Sequence, residues 1–448
     1  MAEVIVLSSS IVCPKKINKS YHTKIHLTPY DLKLLHFAYP QRGLLFPKPD
    51  DETDIIDRLK ASISTALEIY FPFAGRLVKV NNHEDNTVSF YIDCDNSGAR
   101  FVHAKVESVS ANDFLQPYDS VPDFKRCFFP ANDLKSSDGV SEPLLALQVT
   151  EIKDGVFISF GYNHMVADGS SFWNFFHTWS KICMNASSAT RPRMLGQSSD
   201  IHPLVLKDWF LDKVDYPIHM PASEPGRPPR CESPTKERVF HFTKTNISDL
   251  KAEANADITS TDMKISSLQA VLAHLWISII KHSGLNREED THCIVDADMR
   301  RRLNPPLEKE CFGNVTHQAI ATAKVGEILD HGLGWAALQI NKQVRTLTNE
   351  NYKVFAENWV RNVKFPKISG GISRKADTYL IATSSPWFEV YDNDFGWGKP
   401  IAVRAEPGNG IGISLVVFRG LEEGSIDVNA TIPLSMWSDV LVNLLTDV

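Results

Sequence analysis

The chain has 448 residues, 43% of them hydrophobic and 23% charged, which excludes a single small module and a disordered polymer alike: that length fills two or three cores, with enough apolar surface to offset the entropy of ordering it. Lys and Arg number 47 against 54 Asp and Glu, a formal charge of −7. With no run of like charges, this excludes a reader of the nucleic-acid backbone, so any anionic ligand must be met by a local basic pocket.

The opening segment, Met1 to Ser8, places Glu3 where a secretory leader carries a base, and its apolar run is short for one. Seven cysteines, at 13, 94, 127, 183, 231, 293 and 311, form no C-x-x-C pair. They read as reduced thiols, and a cytoplasmic location is expected. His22 and His26 stand four apart, with no carboxylate or cysteine to complete a zinc set. From Asp54 to Ile69, apolar residues at 55, 56, 59, 63 and 67 predict an amphipathic helix ending before Tyr70-Phe71-Pro72. Val156 to Tyr162 is β-rich and apolar, a buried strand. Phe172, Trp173, Phe175, Phe176, Trp179 and Ile182 then recur at helical spacing behind the good N-cap residues Asp168 and Ser170. These aromatics read as core rather than as a ligand cage.

Eight prolines from Pro192 to Pro234 mark residues 191–236 as a crossover linker between an N-terminal domain, 1–190, and a C-terminal domain, 237–448. In the second half, Ser266 and Ser267 precede an amphipathic helix carrying Leu268, Val271, Leu272, Leu275, Trp276 and Ile279. The stretch Leu268 to Ile280 is the longest apolar one and falls well short of the ~20 residues that span a bilayer, so no membrane association is expected. Gly408 to Gly412 reads as a turn, since it leads into a strand rather than opening a helix. Ile411–Phe418 and Ser425–Ala430 predict a hairpin, and a terminal helix is expected from Ser435. Strand and helix patterns mixed in both halves predict a two-domain α/β chain.

Chemistry concentrates at His164-Met-Val-Ala-Asp168-Gly, in the loop that leaves the buried strand. An imidazole there is poised as a general base at neutral pH, and the plain alternative is a satisfied core or surface histidine. Asp168 suits a helix cap or an ion-pair partner better than acid–base work. Ser266, Ser267 and the nearby Lys264 offer a seat for a phosphate at a helix start, or ordinary capping beside a solvated lysine. Asp394-Phe395-Gly396 lacks the accompanying kinase motifs, and no G-x-S-x-G elbow supports a serine hydrolase.

Read together, His164-x-x-x-Asp168-Gly169 and Asp394-Phe395-Gly396-Trp397-Gly398-Lys399-Pro400 resemble the plant BAHD family of CoA-dependent acyltransferases. The resemblance extends over nearly the whole chain, through Leu27-Thr28-Pro29-Tyr30-Asp31, Tyr70 to Leu77, Arg300 to Leu307 and Phe312-Gly313-Asn314. It implies two chloramphenicol-acetyltransferase-like domains with a solvent channel between them, reached by CoA from one face and the acceptor from the other. It implies acyl-CoA as co-substrate with no permanent cofactor or metal, a small plant alcohol or amine as acceptor, and a monomer. His164 matches the family's general base, and no acyl-enzyme is needed. Asp168 matches a residue that pairs with an arginine of the second domain, Arg300 by preference and Arg302 in reserve. Asp394, Gly396 and Gly398 match a motif that shapes the fold and the CoA side. Thr383-Ser384-Ser385 stands where the family often has Thr-Ser-Trp, so Thr383 is the expected oxyanion donor, with Ser385 or a water in place of the indole. Cys311 and Val315 depart from the pattern of anthocyanin-malonylating members. The alternative is a catalytically silent acyl-CoA or metabolite binder on the same fold.

Overall fold

The computed structural model describes residues 4–15, 24–50, 54–115, 123–187, 204–206, 216–222, 235–256, 258, 263–363, 365, 378–406 and 412–437. Two six-stranded sheets organise it. The first runs Ile5–Val12, Ala99–Lys105, Leu145–Ile152, Gly155–Tyr162, Gln41–Pro47, Ala402–Ala405 in spatial order. Gly155–Tyr162 is buried along its whole length because it has a strand on either side and a core on either face. Its side chains alternate between those cores, as strand geometry requires. Val156, Ile158, Phe160 and Tyr162 join helices Ile55–Ile69 and Gly169–Ser187, whereas Phe157 meets Phe114, Phe128 and Phe129 on the opposite face.

The second sheet runs Thr235–Phe242, Ile426–Pro433, Ile413–Arg419, Tyr379–Ser385, Asp290–Asp298, Thr316–Lys324. Helices Lys244–Ala256, Ser267–His282 and Val325–Arg345 cover one face of it around the fully buried Trp276. The anticipated helices at 55–69, 169–187 and 267–282 and the hairpin are present, its first strand beginning at Ile413. Of the terminal helix expected from Ser435, the described residues include a 3-10 turn, Leu434–Met436, and the rest of that expectation, 438–448, lies outside the described residues. So do His22, residues 407–411 and most of 191–236; within that last stretch Val205–Leu206 pairs with Cys311–Phe312, and Met220–Pro221 with Thr87–Asp93. No described helix is long and apolar enough to cross a membrane.

Strand Ala402–Ala405 lies far along the chain, yet it closes the first sheet by pairing antiparallel with Gln41–Pro47, Val403 opposite Leu44. The turn before it explains the crossing. The Asp394 carboxylate accepts hydrogen bonds from the N–H groups of Gly396 (2.7 Å) and Gly398 (3.1 Å), and both glycines hold positive φ, 103° and 121°. Side-chained residues rarely adopt that conformation. The knot thrusts Phe395 into the first half, where its ring meets Trp179 edge-on at 4.7 Å and Phe176 at 5.7 Å. Trp397 stacks on it beneath the Arg58 guanidinium. Deleting this fully buried ring is expected to cost about 3–5 kcal/mol; urea unfolding of Phe395→Ala checks it, and a midpoint equal to that of the parent would deny the turn its anchoring role.

Candidate active site

A cavity of about 950 Å³ opens between the two sheets. The first half contributes Lys33, Tyr39, Arg42, Tyr162 and His164 to its wall, the second Ser266, Asp296, Thr383 and Ser385. His164 enters it because the strand before it ends in a pinned turn. Buried Asn163 receives the Met165 N–H at 3.0 Å on its Oδ1, and its Nδ2 donates to Tyr39 Oη (3.0 Å) and the Ser136 carbonyl (2.8 Å). From the other half, Asn314 Nδ2 donates to the His164 carbonyl at 2.8 Å and to Asp31 Oδ1 at 2.9 Å.

The half-buried imidazole has its Nδ1 3.2 Å from the Ala167 carbonyl oxygen. A carbonyl only accepts, so Nδ1 carries the proton and Nε2 holds the lone pair of the neutral ring. Nε2 makes no hydrogen bond among the described residues. Burial pushes the pKa of His164 below its ordinary value, with the Ala167 carbonyl and the negative field of Asp296 opposing the shift. The site thereby favours an uncharged imidazole at neutral pH.

Asp168 points away from this nitrogen into a buried network. Arg300 grips it bidentately, Nη1 to Oδ2 at 2.9 Å and Nη2 to Oδ1 at 3.0 Å. The N–H groups of Ser171 and Val315 donate to the same carboxylate, each at 2.9 Å. Arg300 also donates to the carbonyls of Cys311 and Gly313. Burial alone would raise the Asp168 carboxyl, but Arg300 and the two N–H donors hold it below the usual range. Arg302 is occupied elsewhere, donating to the carbonyls of Val344 and Leu347.

Thr383 lines the cavity from strand Tyr379–Ser385. Ser384 has φ of 68°, a left-handed conformation costly for a side-chained residue, and this turns the strand end so that Ser384 and Ser385 also face the cavity. Ser385 Oγ accepts from the Trp387 N–H at 3.2 Å, leaving the Trp387 ring 84% exposed at the rim. Ser266 caps helix Ser267–His282, its Oγ accepting from Gln269 N–H while Gln269 Oε1 accepts from Ser266 N–H. It lies on the cavity wall, whereas half-buried Ser267 and exposed Lys264 do not. Asp394, Gly396 and Gly398 are also absent from the wall. Their place is the packed turn described above.

Three acids on the wall, Asp296, Asp298 and Glu406, were not singled out by sequence. Asp296 stands in strand Asp290–Asp298 opposite Gln318, and burial raises its carboxyl above the usual range. Glu406, just past Ala402–Ala405, is pushed up to about 7 by burial. The signal available for Asp296 was an acid directly after Ile294 and Val295, inside a strand-like run. No cluster of His, Cys, Asp and Glu suited to a metal ion exists among the described residues.

Residues 2–438 match the family model described as the Transferase family. An uncharacterized acetyltransferase of Arabidopsis thaliana is 62% identical, over 100% of this chain and 98% of its own. The BAHD acyltransferase DCR of the same plant is 31% identical, over 92% and 86% respectively. Among solved structures, TRI101 of F. sporotrichioides complexed with coenzyme A and T-2 aligns with a TM-score of 0.67 at 18% identity, covering 94% of this chain and 96% of that one. The two sheets with their flanking helices are thus the two-domain, chloramphenicol-acetyltransferase-like α/β fold.

Removing the Asp168 carboxylate takes the bidentate partner from a guanidinium that is only 2% exposed and leaves it the single 3.2 Å contact with Asp298 Oδ1 as its remaining carboxylate. Asp168→Ala is expected to cost about 3–5 kcal/mol in chemical denaturation. The folded carboxyl titrates below the unfolded one, so its contribution is present above an unfolded pKa near 4 and is lost as pH falls through the lower folded value. Acid titration of stability should therefore fall less steeply below about pH 4 in Asp168→Asn than in the parent.

Proposed function

Because the chain belongs to the BAHD acyltransferases of the Transferase family, we propose that it moves an acyl group from an acyl-CoA thioester to the hydroxyl or amine of a small plant metabolite. The observation that carries this reading is the His164 imidazole on the wall of a cavity built by both halves, its Nδ1 committed to Ala167 and its Nε2 unengaged. Nε2 takes the proton of the acceptor as its oxygen or nitrogen attacks the thioester carbonyl. The tetrahedral intermediate then collapses, the C–S bond breaks, and the CoA thiolate recovers the proton from the imidazolium.

Among the described residues His164 has no side-chain hydroxyl or thiol as a hydrogen-bond partner, which supports direct transfer without an acyl-enzyme. Thr383, with Ser385 beside it, is the proposed donor to the developing oxyanion, a contribution that commonly exceeds that of the base. A CoA phosphate would sit at the start of helix Ser267–His282, with Ser266 on the cavity wall and Ser267 and Lys264 beside it, where the helix dipole favours an anion. A neighbour of the same fold solved with coenzyme A supports acyl-CoA as co-substrate. Asp168 and Arg300 hold the site, and Asp394, Gly396 and Gly398 hold the fold around it. The proposed protein works as a monomer in the cytoplasm, with one lobe on either side of the crossover 191–236.

Purified protein given a panel of acyl-CoAs with small alcohols and amines should release CoA only when an acceptor is present. CoA binding with no release under any acceptor would instead make it a silent binder. His164→Ala should lower kcat by about 10²-fold or more with little change in CoA affinity. Since the neutral ring is the active form and burial lowers its pKa, the acid limb of kcat/KM should lie below 6.5. A limb above that value, or a fully active His164→Ala, would remove the imidazole from its role.

A further inference from the structure

Lys33 follows the one-turn helix Pro29–Leu32 and reaches the wall of the His164 cavity with only 9% exposure. Its ammonium lies over two aromatic rings, 4.8 Å from the Tyr30 centroid and 5.4 Å from that of Phe355. Nζ makes no hydrogen bond and no ion pair among the described residues. The carboxylates that act on it do so from beyond contact. Asp31 is already engaged by Thr28 and Asn314, and Asp296 stands past ion-pair distance. His317, packed against Phe355 and Tyr30 in the same cage, adds no negative charge.

A buried ammonium held only by ring faces is short of hydrogen-bond acceptors. Burial pushes its pKa down to about 8, which leaves it mostly charged at neutral pH. The contrast with Arg300 is plain, since that guanidinium is saturated by the carboxylates of Asp168 and Asp298 and by three carbonyl contacts. The fold gains nothing from a charge at position 33 that a methionine of similar length would not supply more cheaply. What would repay it is an anion arriving with the ligand.

We propose that Lys33 is a specificity-determining residue that receives a carboxylate on the acceptor, so that the acceptor is an alcohol or amine bearing an acid group. This rests on the acyltransferase reading for there being an acceptor in the cavity at all. A monoanion fits better than a phosphate dianion, because one ammonium in an aromatic cage has one charge and few donors to offer. A ligand carboxylate at hydrogen-bond distance also prevails over Asp296, since attraction falls with separation and contact adds a charge-assisted hydrogen bond.

The test is calorimetric titration without acyl-CoA, using 3-hydroxybenzoate against 3-hydroxybenzamide and 4-hydroxycinnamate against its amide. The parent should bind at least one acid about ten-fold more tightly than its amide, the ratio expected of a hydrogen bond to a charged group. Lys33→Met and Lys33→Gln should bring the acid to the level of the amide and leave the amide unchanged, while His164→Ala keeps the preference. Lys33→Met should also melt at a higher temperature than the parent. Equal affinity for acid and amide, no binding of either acid, or a preference that survives both Lys33 variants would overturn the proposal. Binding is read separately from turnover, so a protein that prefers acids but never releases CoA would refute the acyltransferase reading and not this one.

Discussion

The carboxylate of Asp168 accepts four N–H groups from three separate segments: both terminal nitrogens of Arg300, the backbone of Ser171 at a helix start, and the backbone of Val315 after the Phe312-Gly313-Asn314 loop. Two charges taken this far from water contribute little net stability, because the loss of hydration consumes most of their attraction. Their effect is positional. Arg300 belongs to the second half and Asp168 to the first, so the pair fixes how the two meet at the one place where His164 must project. Asn314, carried by the same loop, then holds the His164 carbonyl. The acid of the H-x-x-x-D motif thus governs the geometry of its histidine without touching the reacting atoms.

That geometry sets the electrostatics. A single carbonyl fixes which nitrogen of His164 is protonated, and burial keeps the ring uncharged. Asp296 works the other way, favouring the imidazolium that forms as a proton is taken. The opposition suits a group that must be neutral at rest and positive for an instant. Elsewhere on the wall, burial brings Glu406 to about 7 and Lys33 to about 8, so the cavity as a whole penalises charge not met by a partner.

Much of this was legible in the sequence where local pattern carries the information. The apolar run through Tyr162, the loop at His164, and the aromatic periodicity from Phe172 to Trp179 spell out strand, turn and helix, and the structure follows them. The reading of Asp168 as a cap or ion-pair partner needed only its place before a helix. Arg300 as its partner came through the family resemblance, since a contact across 132 positions leaves no local trace. Asp296, Glu406 and Lys33 went unread for the same reason: what distinguishes them is burial beside a cavity, which depends on elements brought together only by the fold. The grouping of Lys264, Ser266 and Ser267 shows the converse, three neighbours in sequence of which a helix start turns only Ser266 toward the wall.

Strand Ala402–Ala405 also bears on how the chain is made. Until it emerges from the ribosome, Gln41–Pro47, among the earliest segments synthesised, has an unsatisfied flank in a sheet otherwise assembled from residues 5–162. An apolar strand waiting that long is an invitation to pair with a neighbouring nascent chain. The first lobe is therefore built early but sealed late, by a strand that follows nearly all of the second lobe in the chain.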